Sequence, residues 1–252
     1  MMINLIIIAA GNGKRMGNIN IPKVLYPVNG VPNLKRIITN AIESEVFDSI
    51  DLVIKDSAIT SFEKFLDDNK FDIKINLMPI NSGLGDGHAI LSAYNSYHQS
   101  NKNSILVWGD VYVDSPMIFR ELSEIGKSFN NNFSSAVIPV SNEKNPYVTI
   151  LADSAMRIIS ADFSKLGEVH SEGFHDQSVF YINNEVIYDS LQKMHDVLWK
   201  NGQYITTSKE LNFLHVLHYL KNINYPANCY ITEYPTKSFN SIEELLKLEN
   251  SV

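Results

Sequence analysis

A chain of 252 residues with 44% hydrophobic and 19% charged side chains has apolar surface for a continuous core and too little charge for a disordered chain. Its 21 Lys and Arg against 28 Asp and Glu leave a net charge of −7, and no basic run is present to neutralise a row of phosphates, which argues against a nucleic-acid partner. The lone Cys229 can form neither an internal disulfide nor a multi-cysteine zinc site, and it suits a reducing, cytoplasmic location.

The apolar run Leu5–Ala10 is far shorter than a membrane span, so it predicts a buried strand and no membrane partner. Leu34, Ile37, Ile38, Ala41 and Ile42 follow at the spacing of an amphipathic helix. The alternation continues with a strand near Leu52–Ile54, a helix carrying Phe62, Phe65 and Leu66, a strand near Ile73–Met78, a helix over His88–Tyr97 and a strand at Ile105–Trp108. This order predicts an α/β fold with a mainly parallel, Rossmann-like central sheet and helices on both faces. After a loop expected at Asn130–Asn132, short strands are expected at Ser135–Val140, Tyr147–Leu151, Met156–Ser160 and Val179–Ile182, with few helices between them and a hairpin turn at Asp153-Ser154. They add an antiparallel region. Thr207-x-x-Glu210 and Ser241-x-x-Glu244 each read as the capping box of a helix, with a late strand at Cys229–Tyr234 between. No linker or repeat divides the chain, so residues 1–252 are expected to form one domain with a nucleotide-binding half, 1–130, and an acceptor-binding half, 131–252.

Three segments point to chemistry. Ala9-Ala10-Gly11-Asn12-Gly13-Lys14-Arg15 follows the first strand, where a parallel sheet places its ligand crevice. It fits neither the dinucleotide pattern nor the Walker pattern. Glycine amides beside Lys14 and Arg15, with Lys23 downstream, suit a triphosphate instead. Gly83-Leu84-Gly85-Asp86-Gly87-His88 is a second glycine-rich loop at a helix start. Trp108-Gly109-Asp110 ends a buried strand in a carboxylate, a position that suits Mg²⁺ held jointly with substrate phosphates. Each segment alone is equally ordinary turn chemistry. His215-x-x-His218, His170 and His175 lack an accompanying acidic or Cys ligand set and read as structural.

Taken together, Ala9–Met16, Pro22-Lys23-Val24-Leu25, Gly83–Ala89 and Ile105–Asp110 resemble the sugar-1-phosphate nucleotidyltransferase family, most of all its N-acetylglucosamine-1-phosphate uridylyltransferase branch. The resemblance implies a GT-A-like fold and attack by an acceptor phosphate on the α-phosphorus of a nucleoside triphosphate, with pyrophosphate leaving. It implies Mg²⁺ on Asp110 and Asn240, charge neutralisation by Arg15 and Lys23, and nucleotide contacts from Ala9, Ala10, Gly11, Gly13, Lys14, Gly85 and Asp86. Trp108, Tyr147, Val148, Asp162 and Gln177 fall at or near the family's acceptor-binding positions.

Departures from the pattern leave specificity open. Met78-Pro79-Ile80-Asn81-Ser82 lacks the branch's uracil-reading Gln, and Asp86 replaces a Thr with a carboxylate able to accept from the exocyclic amine of cytosine, so UTP and CTP are the favoured donors. Trp108 replaces a Tyr, and Val148 stands where a Gly meets the sugar. The acceptor is expected to be a sugar 1-phosphate for a surface glycan, or else a non-sugar phosphate such as phosphocholine or a phosphorylated amino acid derivative. The acetyltransferase domain of the bifunctional members has no counterpart, which confines the expectation to nucleotidyl transfer. A nucleotide-sensing module without catalysis is the alternative of a different class.

Overall fold

The computed structural model describes residues 3–11, 13, 21–81, 83–96, 102–130, 134–143, 148–163, 173–222 and 225–251. Its strands are β1 (Ile3–Ile8), β2 (Pro27–Val28), β3 (Val31–Pro32), β4 (Phe47–Lys55), β5 (Lys74–Ile80), β6 (Asn103–Trp108), β7 (Val111–Tyr112) and β8 (Ala136–Ser141). They continue with β9 (Val148–Ala152), β10 (Ile158–Phe163), β11 (His175–Asp176), β12 (Val179–Asn183), β13 (Trp199–Lys200), β14 (Gln203–Tyr204), β15 (Ala227–Ile231) and β16 (Lys237–Ser238). The helices are α1 (Asn33–Ser44), α2 (Ile59–Asn69), α3 (Asp86–Ser96), α4 (Met117–Asn130), α5 (Asn184–Leu198), α6 (Leu214–Asn222) and α7 (Ile242–Glu249).

The main sheet runs β11-β8-β12-β6-β1-β4-β5, with β15 also pairing β8. Strands β6, β1, β4 and β5 are mutually parallel, whereas β12 pairs antiparallel with both β6 and β8. This is the expected α/β sheet with a parallel centre and an antiparallel flank. The centre is parallel because each strand is followed by a helix that returns the chain to the same edge.

Strand β1 shows why both faces are covered. Its side chains alternate, so Ile3, Leu5 and Ile7 enter one core with Leu34, Ile37, Ile38, Phe62 and Phe119, while Ile6 enters the other with Ile90, Leu191 and Leu217. Helices α1, α2 and α4 therefore cover one face, and α3, α5 and α6 the other. Among the described residues, no helix is long and apolar enough to cross a membrane.

Several expectations need correction. Between β8 and β12 no helix lies among the described residues, as expected, but two helices flanking that stretch were not anticipated: α4, of 14 residues, precedes β8, and α5, of 15 residues, directly follows β12. Ile118, Leu122, Ile125 and Phe129 in α4, and Ile187, Leu191, Met194 and Leu198 in α5, repeat at helical intervals toward the two cores. The box at Thr207 does not start a helix. There the Thr206 hydroxyl accepts from the Glu210 N–H (3.0 Å) and donates to the Glu210 carbonyl (2.8 Å), closing a turn. Leu211 then donates to the Leu84 carbonyl (2.8 Å) and accepts from the His88 N–H (3.3 Å), bonds that tie the segment to the second glycine loop, and α6 begins only at Leu214. The strand near Leu52–Ile54 begins earlier, at Phe47, the strand expected at Met156–Ser160 is shifted to Ile158–Phe163, and the late strand is Ala227–Ile231. Asp153 does close the β9–β10 turn, its carbonyl accepting from the Met156 N–H at 2.9 Å. Asn131, Asn132, Tyr97 and Tyr147 lie outside the described residues.

Candidate active site

A cavity of about 290 Å³ opens at the C-terminal ends of β1, β5 and β6, where parallel strands present their loops to a ligand. Ala9, Ala10 and Gly11 line it after β1, Gly83, Gly85 and Asp86 line it after β5, and Trp108 and Asp110 line it after β6. Lys23 enters from a single 3-10 turn behind Pro22, and Glu210, against Gly85, and Asn212 complete the lining.

Backbone and side-chain ties set Asp110 in place. Gly109 N–H donates to the Ile8 carbonyl at 2.9 Å, and a Cβ at position 109 would lie 2.6 Å from Val24 Cγ1, so only glycine lets the turn pass this close. The fully buried Asn33, opening α1, donates through Nδ2 to the carbonyls of Gly109 and Val111, both at 2.9 Å. On the other side β16 pairs with β7, Lys237 opposite Tyr112 and Ser238 opposite Val111, and Phe239 N–H donates to the Asp110 carbonyl at 3.3 Å. This pairing brings Asn240, 130 positions later in the chain, to the same spot.

The expected capping box is present at that end of the chain. Ser241 accepts from the Glu244 N–H at 3.2 Å, and Glu244 Oε2 reaches back to accept from Asn240 N–H at 2.5 Å, one residue before the usual position. The start of α7 thus grips the backbone of Asn240.

Lys23 is where these pieces meet. Its Nζ lies 2.7 Å from Asp110 Oδ2 and 3.4 Å from Asn240 Oδ1, with the Phe239 ring centroid 5.3 Å away. The first contact is a short charge-assisted hydrogen bond and the second is long. A cation already sits between the carboxylate and the amide oxygen, which tests the expected metal site directly. Carboxylate plus amide oxygen is a hard donor pair, and two protein oxygens completed by substrate phosphates are what Mg²⁺ takes, so these residues fit the ion. Among the described residues no group of three or more His, Cys, Asp or Glu is placed to hold a metal by itself.

Asp86 has two jobs in the wall. Its Oδ1 accepts from its neighbour Gly87 N–H and from Phe213 N–H, each at 2.7 Å, which ties the second glycine loop to the 210–213 segment. Gly85 makes room for that crossing: with φ +103°, a Cβ there would stand 2.3 Å from the Leu211 carbonyl oxygen. Burial pushes the Asp86 carboxyl up to about 6 from 3.8, the two N–H donors oppose the rise, and the nearby Glu210 charge adds to it. His88 is pulled below its ordinary value by burial first and by His195 second. Its Nδ1 lies 3.4 Å from Ser92 Oγ within α3, which suits a structural role.

Of the residues singled out in the sequence, Ala9, Ala10, Gly11, Lys23, Gly85, Asp86, Trp108 and Asp110 line one cavity, and Asn240 adjoins it. Gly13 is next to Lys23, 3.7 Å separating its would-be Cβ from Lys23 Cβ. Three others stand apart from the cavity lining. Val148 is buried in the core, and Asp162 sits half-buried on β10. Gln177, 1% exposed, spends its amide on Ser141 Oγ (2.8 Å) and Thr236 N–H (2.6 Å). Lys14, Arg15, Tyr147 and His170 lie outside the described residues. Glu210 and Asn212 escaped the sequence reading because they were assigned to a helix start. Their alternation with the buried Leu211 and Phe213 is a period-two pattern that argues against a helix here.

Residues 5–174 match the model of the MobA-like NTP transferase domain. The chain belongs to that family. It is 31% identical over 129 residues to the bifunctional protein GlmU of Coxiella burnetii (strain CbuG_Q212), covering 49% of this chain and 26% of that protein. It is 25% identical over 257 residues to GlmU of Clostridium beijerinckii, covering 97% of this chain and 50% of the relative. The chain therefore spans between a quarter and half of these relatives. Among solved structures, apo UDP-glucose pyrophosphorylase superposes with a TM-score of 0.80 at 14% identity, covering 100% of this chain and 98% of the other. The inositol-1-phosphate CTP transferase of T. maritima gives 0.73 at 16% identity, covering 99% and 94%. At these identities the structural likeness establishes a shared nucleotidyltransferase-type fold.

Proposed function

We propose that this member of the MobA-like NTP transferase family is a metal-dependent nucleotidylyltransferase, joining an NTP to a sugar 1-phosphate or related phosphorylated metabolite and releasing pyrophosphate. The observation that carries this reading is the meeting of Lys23, Asp110 and Asn240 at one end of a cavity floored by glycine-rich backbone.

The chemistry asks little of a general base. A phosphate monoester has its second pKa near about 6 and is largely a dianion at neutral pH, so its oxygen can attack the α-phosphorus unaided. The bond from the α-phosphorus to the bridging oxygen breaks, and pyrophosphate carries that electron pair away. What the protein must supply is alignment and countercharge. Lys23, held by Asp110 and backed by Phe239, offers an ammonium to the triphosphate, and Arg15 and Lys14 are proposed to add theirs. Asp110 and Asn240 would hold Mg²⁺, which supplies charge neutralisation for the phosphates and the leaving group. Ala9, Ala10, Gly11 and Gly13 let the nucleotide approach the backbone closely.

Gly85 and Asp86 are proposed to face the base. With Oδ1 committed to two backbone donors, Asp86 has a second oxygen to accept from an exocyclic amine, which favours CTP among the two expected donors. The acceptor is proposed to lie beside Trp108; Tyr147, Val148, Asp162 and Gln177 remain proposed acceptor-side residues, although Val148, Asp162 and Gln177 do not line the cavity. Solved proteins of this fold are named for UDP-glucose and for inositol 1-phosphate with CTP, so acceptors vary on one frame.

The test is product mass spectrometry after incubation with Mg²⁺, each of the four NTPs and a panel of phosphate monoesters. A new mass equal to nucleoside monophosphate joined to acceptor, formed from CTP or UTP, is expected. Bound NTP with no product from any pair would favour the sensing alternative.

A further inference from the structure

The ladder that brings Asn240 to Asp110 is short: Lys237 lies opposite Tyr112 and Ser238 opposite Val111, and both β16 side chains are exposed. Such a ladder buries no apolar side chain of its own strand, so it specifies its register weakly, and a slip of one residue would turn Asn240 to the other face. The register must therefore be fixed just outside it. Downstream, Phe239 packs with Val28, Tyr112 and Leu245. Upstream, Thr236 is clamped by Gln177: its N–H donates to Gln177 Oε1 at 2.6 Å and its hydroxyl donates to the Gln177 carbonyl at 2.7 Å.

The clamp is itself held firmly. Gln177 donates its backbone N–H to the Pro139 carbonyl (3.1 Å) and its Nε2 to Ser141 Oγ (2.8 Å) and the His175 carbonyl (3.3 Å). The next residue, Ser178, takes φ +56°, a left-handed conformation that a non-glycine residue keeps only where its surroundings hold it. The buried Asp176 does so, its Oδ1 accepting from the Ser178 N–H (2.8 Å) and hydroxyl (3.3 Å). In this turn the Ser178 carbonyl accepts from Trp108 N–H at 3.1 Å, at the end of the strand that leads into Asp110. One turn, Asp176-Gln177-Ser178, thus joins the chain just before Asp110 to the chain just before Asn240, and none of its three residues lines the cavity.

We infer that Gln177 is a positioning residue for the metal pair: by clamping Thr236 it fixes the β16 register that sets Asn240 beside Asp110. It acts through Asn240 and not through contact with the acceptor. This rests on the nucleotidyl-transfer reading above, which gives Asp110 and Asn240 to Mg²⁺, and adds what holds the two oxygens at one spacing. A ligand pair drawn from distant parts of the chain binds an ion well only when its spacing is set before the ion arrives.

The experiment uses three variants: Thr236→Val removes the hydroxyl donor and keeps the shape, Thr236→Ser keeps the donor, and Gln177→Met removes the amide. Calorimetry measures binding of CTP and UTP with Mg²⁺ and with EDTA, no acceptor being present, and the gain in affinity that Mg²⁺ confers reports the metal pair without turnover. In Thr236→Val and Gln177→Met that gain should fall about fivefold or more while affinity in EDTA stays within about twofold, and Thr236→Ser should keep it. In kinetics the Mg²⁺ concentration for half-maximal pyrophosphate release should rise in the same two variants, with the acceptor KM within about twofold of the wild type. Variants that unfold more easily yet keep the full Mg²⁺ gain overturn the inference and leave nucleotidyl transfer standing. A raised acceptor KM in Gln177→Met with the gain intact also overturns it and makes Gln177 an acceptor residue. A wild type with no Mg²⁺ gain overturns the metal pair and this inference together. A gain that Thr236→Val loses, in a protein that turns over no acceptor, upholds this inference against the catalytic reading.

Discussion

Asn33 Nδ2 donates to the Gly109 carbonyl at 2.9 Å, across 76 positions of sequence, and so fastens the first turn of α1 to the turn that carries Asp110. The same amide reaches Val111, so both residues flanking Asp110 are held by one buried side chain. Asn33→Ala strips two buried carbonyls of their donor and should cost about 1–3 kcal/mol. A denaturant midpoint shift would register it. Turnover measured below the unfolding range should fall as well, because the carboxylate loses its mounting; a variant with normal activity would show that the turn is held without Asn33.

Lys23 is expected to matter for rate more than for fold. Lys23→Met keeps most of the stem while removing the charge, and turnover should drop about 10²-fold or more, with the denaturant midpoint nearly unchanged. Steady-state kinetics beside an unfolding curve checks both halves. Undiminished turnover would remove Lys23 from the reaction.

Acidity should act through Asp86. Its folded-state carboxyl sits at about 6 against 3.8 in isolation, so the folded protein binds this proton more tightly than the unfolded chain. The penalty for ionising it in the fold is therefore absent below about pH 4, grows as pH rises, and is complete above about pH 6. It is on the order of 3 kcal/mol at most. Asp86→Asn keeps an oxygen for Gly87 and Phe213 and loses the titration, so the stability gap between variant and wild type should move in the variant's favour from pH 4 to pH 7. A gap independent of pH would contradict the assignment.

The grip of α7 on Asn240 can be loosened without touching the cavity. Ser241→Ala removes a helix cap and should cost about 1 kcal/mol of stability. Because Glu244 then holds Asn240 less firmly, the Mg²⁺ concentration for half-maximal turnover should rise, while the nucleotide KM measured at saturating Mg²⁺ should not. Equal Mg²⁺ dependence in both proteins would confine Ser241 to a structural role.

Much of this was readable from local pattern. The run Leu5–Ala10, the stripe from Leu34 to Ala41 and the three glycine-containing turns announced the parallel half, because a buried strand and an amphipathic helix each advertise themselves within a few residues. The capping box at Ser241 was equally local. Glu210 and Asn212 were hidden for the opposite reason. Their non-helical course is fixed by hydrogen bonds to Leu84 and His88, more than a hundred positions earlier, and a helix-like signature around Thr207 lost to those hydrogen bonds. Gln177 shows a related limit: a polar residue near an expected binding position is instead consumed in joining β11 to the segment at Thr236. Which polar side chain faces the cavity and which one braces its wall depends on contacts that no single stretch of sequence contains.

The central claim is that Asp110 and its neighbours support nucleotidyl transfer. The most direct measurement is Mg²⁺-dependent pyrophosphate release by the wild type and by Asp110→Ala, with CTP or UTP and the acceptor panel. The account predicts release by the wild type that requires both Mg²⁺ and an acceptor, and a loss of about 10²-fold or more in Asp110→Ala with the fold intact. Equal release by the two proteins, or none by the wild type with any pair while NTP still binds, would contradict it.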